Sequence, residues 1–509
     1  MSLHDTLTTH TPTSAPAPPT AGRSAVLARL LDHLSDQDRA ATKTTADRLR
    51  GALEQHDSAA GGTVLVGYGG GKDSSYTLAF IRAVQLVLAE RDGILFTLRS
   101  ATNRHPGMPR AVMDNIDRVY RALGMYDDPS CELLLLDGDL IHPFRPDRPP
   151  EPAVTARSRA DILMTGHRTA AQARPTFCNA CNLSMVNSFG LAAAHGRGAD
   201  LIVTGDSREE QRDYAVWINR LARQVGHDPR TQRRSGFPRV LGALDAVGRT
   251  YARTVHGKDT PTDDRGVHAD VPAGLSFFSI FDDTSYDSGS HWTLLTDFLG
   301  FRFDDLAFSF TESDCANPAL MAHLRGLTCE HVYGRTYDDG MDEYVAFALR
   351  LMRQKDFPQR LIDHMADRYA STAGRTAVRQ AVERFAQEAY GLTGTHLVCL
   401  VHAPFTARGQ TLTSFLRREH PALAGREPEI RALLSAPTSR PDAAVDELAL
   451  ILEDISGLSV PQLRQLYASD QPQAGELLDL VLQDDPHKER IRTRHSADGP
   501  VVYELLSGR

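Results

Sequence analysis

The sequence predicts an α/β protein built on a doubly wound parallel sheet and followed by a mostly helical C-terminal region. Three observations predict it. From residue 63 to about 225, short β-branched apolar runs alternate with amphipathic stretches at helical spacing. A turn of three consecutive glycines joins the first such run directly to a helix. Beyond about residue 339, helical patterns dominate. Repeated βα units place successive strands parallel with helices on both faces, and ligands then bind beyond the carboxyl ends of the strands.

Taken in order, residues 1–22 are rich in Pro, Thr and Ala, carry no periodicity and read as a disordered tail. They lack the basic and apolar regions of a signal peptide. Segment 23–60 places Val26, Leu27, Leu30, Leu31 and Leu34 at helical spacing. The domain at 61–260 has expected strands at 63–66, 94–98, 133–136 and 201–204. Its expected helices run over 72–90, 109–123, 158–173, 183–195 and 209–225. Residues 260–272 are polar and Pro/Gly/Asp-rich, the composition of a mobile loop. An extension at 261–406 is mostly helical, with one more strand expected at 396–401. Residues 407–509 form a small helical domain, closed by a hairpin over 491–506 that turns at Asp498-Gly499.

The 509 residues allow roughly three domains at about 150 residues each. With 41% hydrophobic and 24% charged residues, the composition is that of a globular protein. Acidic residues outnumber basic ones by 65 to 56, a net charge of −9 that argues against a non-specific nucleic-acid binder. No apolar run reaches the roughly 18 residues of a membrane span, so the expected compartment is the cytoplasm. The six cysteines form no disulfide framework in such a chain.

The strongest chemical signal is Thr63-Val-Leu-Val-Gly-Tyr-Gly-Gly-Gly-Lys-Asp-Ser-Ser75. Gly69, Gly70 and Gly71 let backbone N–H groups turn toward a bound anion without Cβ obstruction. The following helix N-terminus adds positive partial charge and unpaired donors. Lys72 supplies a cation; Ser74 and Ser75 supply hydroxyls. A Walker A loop requires Ser or Thr after the lysine, where this chain has Asp73, and a G-x-G-x-x-G loop fails because its last position is Lys72. A plain flexible turn has no need of three glycines followed by Lys-Asp-Ser-Ser.

Gly69-Gly70-Gly71-Lys72-Asp73-Ser74 resembles the S-G-G-x-D-S loop of the PP-loop ATP pyrophosphatases. This superfamily includes tRNA 2-thiolation enzymes and N-acetyl sugar amidotransferases. Gly69 stands where the family has serine. A second stretch, Leu201 to Gln211, resembles the family's strand followed by T-G-H-x-x-D-D: Thr204 and Gly205 match, Asp206 replaces the histidine, and Glu209 and Glu210 stand at the acidic pair. The resemblance covers about residues 63–226. It implies a HUP-type α/β domain (adenine nucleotide alpha-hydrolase-like) that binds ATP and Mg²⁺, transfers AMP to a substrate oxygen and releases pyrophosphate. Lys72, Asp73 and Ser74 would be catalytic, with Gly69 to Ser75 and Thr204 to Asp206 binding the nucleotide. Glu209 and Glu210 would hold Mg²⁺, or serve as ordinary carboxylates at a helix N-terminus.

Cys178-Asn-Ala-Cys181 has four readings: half a zinc site, part of an Fe-S cluster, a redox dithiol, or chance. Cys315, in a polar turn-forming segment, is the candidate third ligand. In the tRNA 2-thiolation enzymes a similarly placed pair with a third cysteine carries an Fe-S cluster. The order of segments from Leu275 to Asp339 loosely resembles the acceptor half of the sugar amidotransferases. That makes Asp314, Cys315, Asn317 and Arg335 acceptor-pocket candidates, against the alternative of a polar capped loop.

The expected function is AMP-forming activation of a carbonyl or carboxyl oxygen, followed by nitrogen transfer to a small-molecule or carrier-bound acceptor. Ammonia would come from a partner protein or from solution. The alternatives are sulfur transfer through Cys178 and Cys181 with a sulfur-donating partner, and a nucleotide-binding protein without catalysis. The acidic balance and long helical C-terminal region favour such an acceptor over tRNA.

Overall fold

A computed structural model describes residues 22–56, 61–205, 208–227, 236–262, 265–268, 270–272, 274–281, 283–284, 291–302, 317–354, 357–436, 447–469, 475–483 and 488–507. Within these, the side chains of 178–184 and 208–211 are not described. The chain divides into two compact units that interleave along the sequence. The first comprises Met1–Pro150, Leu183–Gly248 and Gly266–Phe308; the second comprises Glu151–Asn182, Arg249–Arg265 and Ser309–Arg509.

The first unit opens with helices α1 (Arg23–Asp32) and α2 (Asp36–Glu54). Ser35 starts α2 by accepting the Asp38 amide, a side-chain N-cap. Strand β1 (Thr63–Gly67) is buried along its whole length and feeds α3 (Lys72–Asp92). Then follow β2 (Thr97–Asn103), α4 (Arg110–Ala122), β3 (Cys131–Asp137) and the short β4 (Leu140–Pro143). Next along the chain come α5 (Pro152–Thr169), which belongs to the second unit, and α6 (Pro175–Ala194) and α8 (Phe237–His256), which are each divided between the units, while β5 (Leu201–Val203), α7 (Arg208–Gln224) and β6 (Ser276–Phe277) complete the first.

The six strands lie in the order β4-β3-β2-β1-β5-β6, all parallel except β4, which pairs antiparallel with β3 at the edge. Val64 pairs with Leu98 on one side and Leu201 on the other. The chain steps outward from β1 to β2 and β3, then returns to the other flank of β1 with β5 and β6. Such a reversal splays apart the connections leaving β1 and β5, the place where open α/β sheets bind ligands. Helix α3 is buried on most sides because α1 and α2 pack on its outer face. A fully buried Arg82 on α3 donates to Asp128 at 2.8 Å, and Arg23 of α1 donates to the same carboxylate at 2.6 Å. Burial alone would raise the Asp128 pKa, but these donors and Ser130 hold it far below the usual carboxylate range.

The second strand departs from expectation. Residues 94–96 form the connection after α3, where Gly93 closes the helix at φ +68°, and β2 starts at Thr97. Two of its buried polar residues are paired: Arg99 donates to Glu132 at 2.6 Å and to the Ala192 carbonyl at 2.8 Å, and Ser100 meets the Tyr120 hydroxyl at 2.9 Å. Edge strand β4 and helix α8 have no counterpart among the elements the sequence predicts.

The second unit contains α9 (Pro318–Leu327), α10 (Tyr337–Gln354), α11 (Gln359–Ala370), α12 (Thr372–Tyr390), α13 (Gly394–His402), α14 (Leu412–Glu419), α15 (Glu427–Ser435), α16 (Glu447–Ser456), α17 (Val460–Ala468) and α18 (Leu477–Leu482). A hairpin of β7 (Lys488–Arg494) and β8 (Val501–Ser507) closes it, as expected. Segment 396–401 is helix α13, not a strand. Thr393 and His396 form a reciprocal capping box at its start, and the apolar run that reads as strand-like is a helix buried on most of its surface. No helix among the described residues is long and apolar enough to cross a membrane.

Candidate functional site

The glycine loop takes the place the sequence gives it, between β1 and α3. Tyr68 prolongs the strand pairing by donating its amide to the Ala101 carbonyl at 2.9 Å. Gly70 adopts φ +78°, and a Cβ there would lie 2.8 Å from both Ile116 and Val112, so glycine is required twice over. Gly69 is exposed with open space around it. Gly71 is the N-cap of α3 and brings no side chain to accept the first amides of the helix. An anion bound at this turn would meet the first amides of the helix and the positive end of its dipole.

The serines divide their work. The Ser75 hydroxyl is fully buried and donates to the Gly71 carbonyl at 2.7 Å, which leaves Tyr68 as donor in the 3.1 Å Tyr68–Ser75 hydrogen bond. Burial pushes the Tyr68 phenol well above its ordinary value, so it keeps that proton. Together they brace the turn from inside. Ser74 is only half-buried, with its hydroxyl 3.2 Å from the Gly71 carbonyl.

At the carboxyl end of β5, Thr204 is buried and Gly205 approaches the start of α3. A Cβ on Gly205 would lie 3.3 Å from the Ser74 nitrogen and 3.4 Å from its Cα. The two segments singled out in the sequence thus meet at the sheet's reversal point. At the opposite end of β1's loop, Gly67 faces the Phe189 ring, where a Cβ would come within 2.4 Å.

Lys72 is 4% exposed. Its ammonium lies 3.6 Å from the Asp73 carboxylate and 5.5 Å from the centroid of the Trp292 ring. Sequence reasoning does not single out His291 or Trp292. A signal for them is present: the chain has two tryptophans, and this one falls in the aromatic-rich stretch assigned to the acceptor side.

The exposed Gly69, the left-handed Gly70 and the glycine N-cap of α3 fit a phosphate-bearing ligand such as ATP, because backbone rather than side chain lines the turn. Asp206 lies outside the described residues, as do Asp314, Cys315 and the side chains of Glu209 and Glu210, the expected Mg²⁺ ligands. Cys178 and Cys181 belong to α6, so the pair lies inside a helix rather than ahead of one; Pro175 opens that helix three residues before Cys178. Their side chains are outside the described set. Asn317 is fully buried and caps α9 by accepting the Ala319 amide at 2.9 Å. Arg335 is bound to Glu343 at 2.7 Å and Thr493 at 2.9 Å. Both hold the second unit together.

Compared with known protein families, curated proteins and solved structures, the chain matches none.

Proposed function

We propose that the first unit is a HUP-type ATP pyrophosphatase domain, binding ATP at the Gly69–Ser75 loop and cleaving it to AMP and pyrophosphate. The observation that carries this reading is the meeting of the β1 loop and the β5 loop, Gly205 against Ser74, at the reversal point of the parallel sheet. Uncapped α3 amides and the glycine backbone would cradle the phosphates and stabilise charge as it builds on the departing pyrophosphate.

In the reaction, a carbonyl or carboxyl oxygen of a small-molecule or carrier-bound acceptor attacks the α-phosphorus. The bond from that phosphorus to the bridging oxygen breaks, and pyrophosphate leaves. A nitrogen nucleophile then attacks the activated carbon, loses a proton and expels AMP. Mg²⁺ would neutralise phosphate charge. The sulfur-transfer alternative depends on Cys178, Cys181 and Cys315, whose side chains lie outside the described residues.

Product analysis by ³¹P NMR, with ATP, Mg²⁺ and ammonium supplied and water standing in for the acceptor, tests the reading. AMP and pyrophosphate are expected. ADP with phosphate would overturn it, and ATP bound but returned intact would leave only nucleotide binding.

A further inference from the structure

Lys72 and Tyr76 are one turn apart on α3, so their side chains share a face. Two consecutive residues cover that face. The His291 ring lies on Tyr76 with centroids 4.1 Å apart, and the Trp292 ring lies 5.5 Å from the Lys72 ammonium. His291 and, earlier in the chain, Asp283 each approach α2. The Asp38 carboxylate is 3.9 Å from His291 Nδ1, and Asp283 accepts the Thr45 hydroxyl at 2.9 Å and an ion pair from Arg48. Just past Trp292 the chain winds as a π-helix, Leu294–Phe298, a form that recurs at functional sites. Lysine is rarely buried to this degree. A cation over an indole face gains more as it is desolvated, and here the lysine is buried while the indole is partly so.

We propose that Trp292 is a positioning residue for Lys72, holding the loop's cation at the foot of α3 before an anion arrives. The inference rests on reading the Gly69–Ser75 loop as a phosphate site. The indole face fixes the lysine rotamer, so the side chain loses little freedom when pyrophosphate or a nucleotide binds. The indole also becomes a reporter of charge entering the loop.

The experiment uses the full chain carrying Trp217→Phe, which leaves Trp292 as its sole indole. Pyrophosphate is titrated by fluorescence and, separately, by calorimetry. A saturable change in emission is expected, with a midpoint equal to the calorimetric Kd, and it should vanish in Lys72→Met. Trp292→Leu should weaken pyrophosphate binding about three- to thirtyfold, with Trp292→Phe recovering to within about threefold of the parent. Should the leucine variant fail to fold, the emission change and the phenylalanine variant decide the matter. Calorimetric binding without any emission change, in a chain whose Trp292→Leu form binds as the parent does, overturns the positioning role and leaves the phosphate site standing. A parent chain that binds neither pyrophosphate nor ATP overturns both.

Discussion

Gly205 approaches Ser74 so closely that a methyl group on Gly205 would stand 3.3 Å from the Ser74 amide nitrogen. That nitrogen belongs to the first turn of α3, whose N-cap is a glycine. A side chain at 205 would therefore push on an amide that the proposed anion site uses, while the strand behind it stays intact. Gly205→Ala should raise the Kd for pyrophosphate about tenfold, the size of one charge-assisted hydrogen bond lost. Calorimetry measures the affinity and circular dichroism checks the fold. Unchanged affinity would separate the β5 loop from the site.

The neighbouring glycines should respond in opposite ways. Gly70→Ala places Cβ at φ +78° and 2.8 Å from Ile116 and Val112. It should cost about 2–4 kcal/mol of stability, from left-handed strain and overpacking together. A Cβ on Gly69 would meet nothing within 4 Å. Gly69→Ser should melt like the parent and bind pyrophosphate about threefold more tightly through its added hydroxyl. Urea unfolding and calorimetry read the two effects; equal destabilisation by both substitutions would refute the loop geometry.

His167 on α5 supplies a pH dependence in the second unit. Its ring is fully buried, packs edge-on against Phe405 at 5.8 Å, and neither ring nitrogen has a hydrogen-bond partner among the described residues. Burial, aided by neighbouring Arg168, pushes its pKa down to about 3. Below the ordinary value of about 6.5, the unfolded chain takes up a proton that the folded chain refuses. The folded state accordingly loses about 1.4 kcal/mol per pH unit from this residue as pH falls from about 6.5 toward 3. His167→Phe should remove that slope, leaving the variant progressively more stable than the parent toward acid in urea titrations. Parallel loss in both proteins would show that His167 takes up its proton while folded.

What the sequence reveals follows from where hydrophobicity and glycine carry the information. The β1–loop–α3 unit is legible because a buried apolar strand runs straight into three glycines. The β7–β8 hairpin is legible from Asp498-Gly499. Strand β2 is obscured because its Arg99 and Ser100 are buried by pairing with Glu132 and Tyr120 rather than by apolar character. Helix α13 is misread because a short apolar run has the same composition whether it lies in a buried helix or a strand. In the site, the glycines and Thr204 could be found locally, since each serves its own backbone. The contact of Lys72 with Trp292 joins positions 220 residues apart in the sequence, and no local pattern encodes it.

Hydrogen–deuterium exchange of the full chain with and without ATP tests the central claim most directly, because the claim concerns backbone amides. Peptides covering 67–76 and 203–206 should exchange more slowly when ATP is bound, and should recover in Gly205→Ala at the same ATP concentration. ATP that leaves both peptides unprotected, or protects only other parts of the chain, would contradict the assignment of this loop as the nucleotide site.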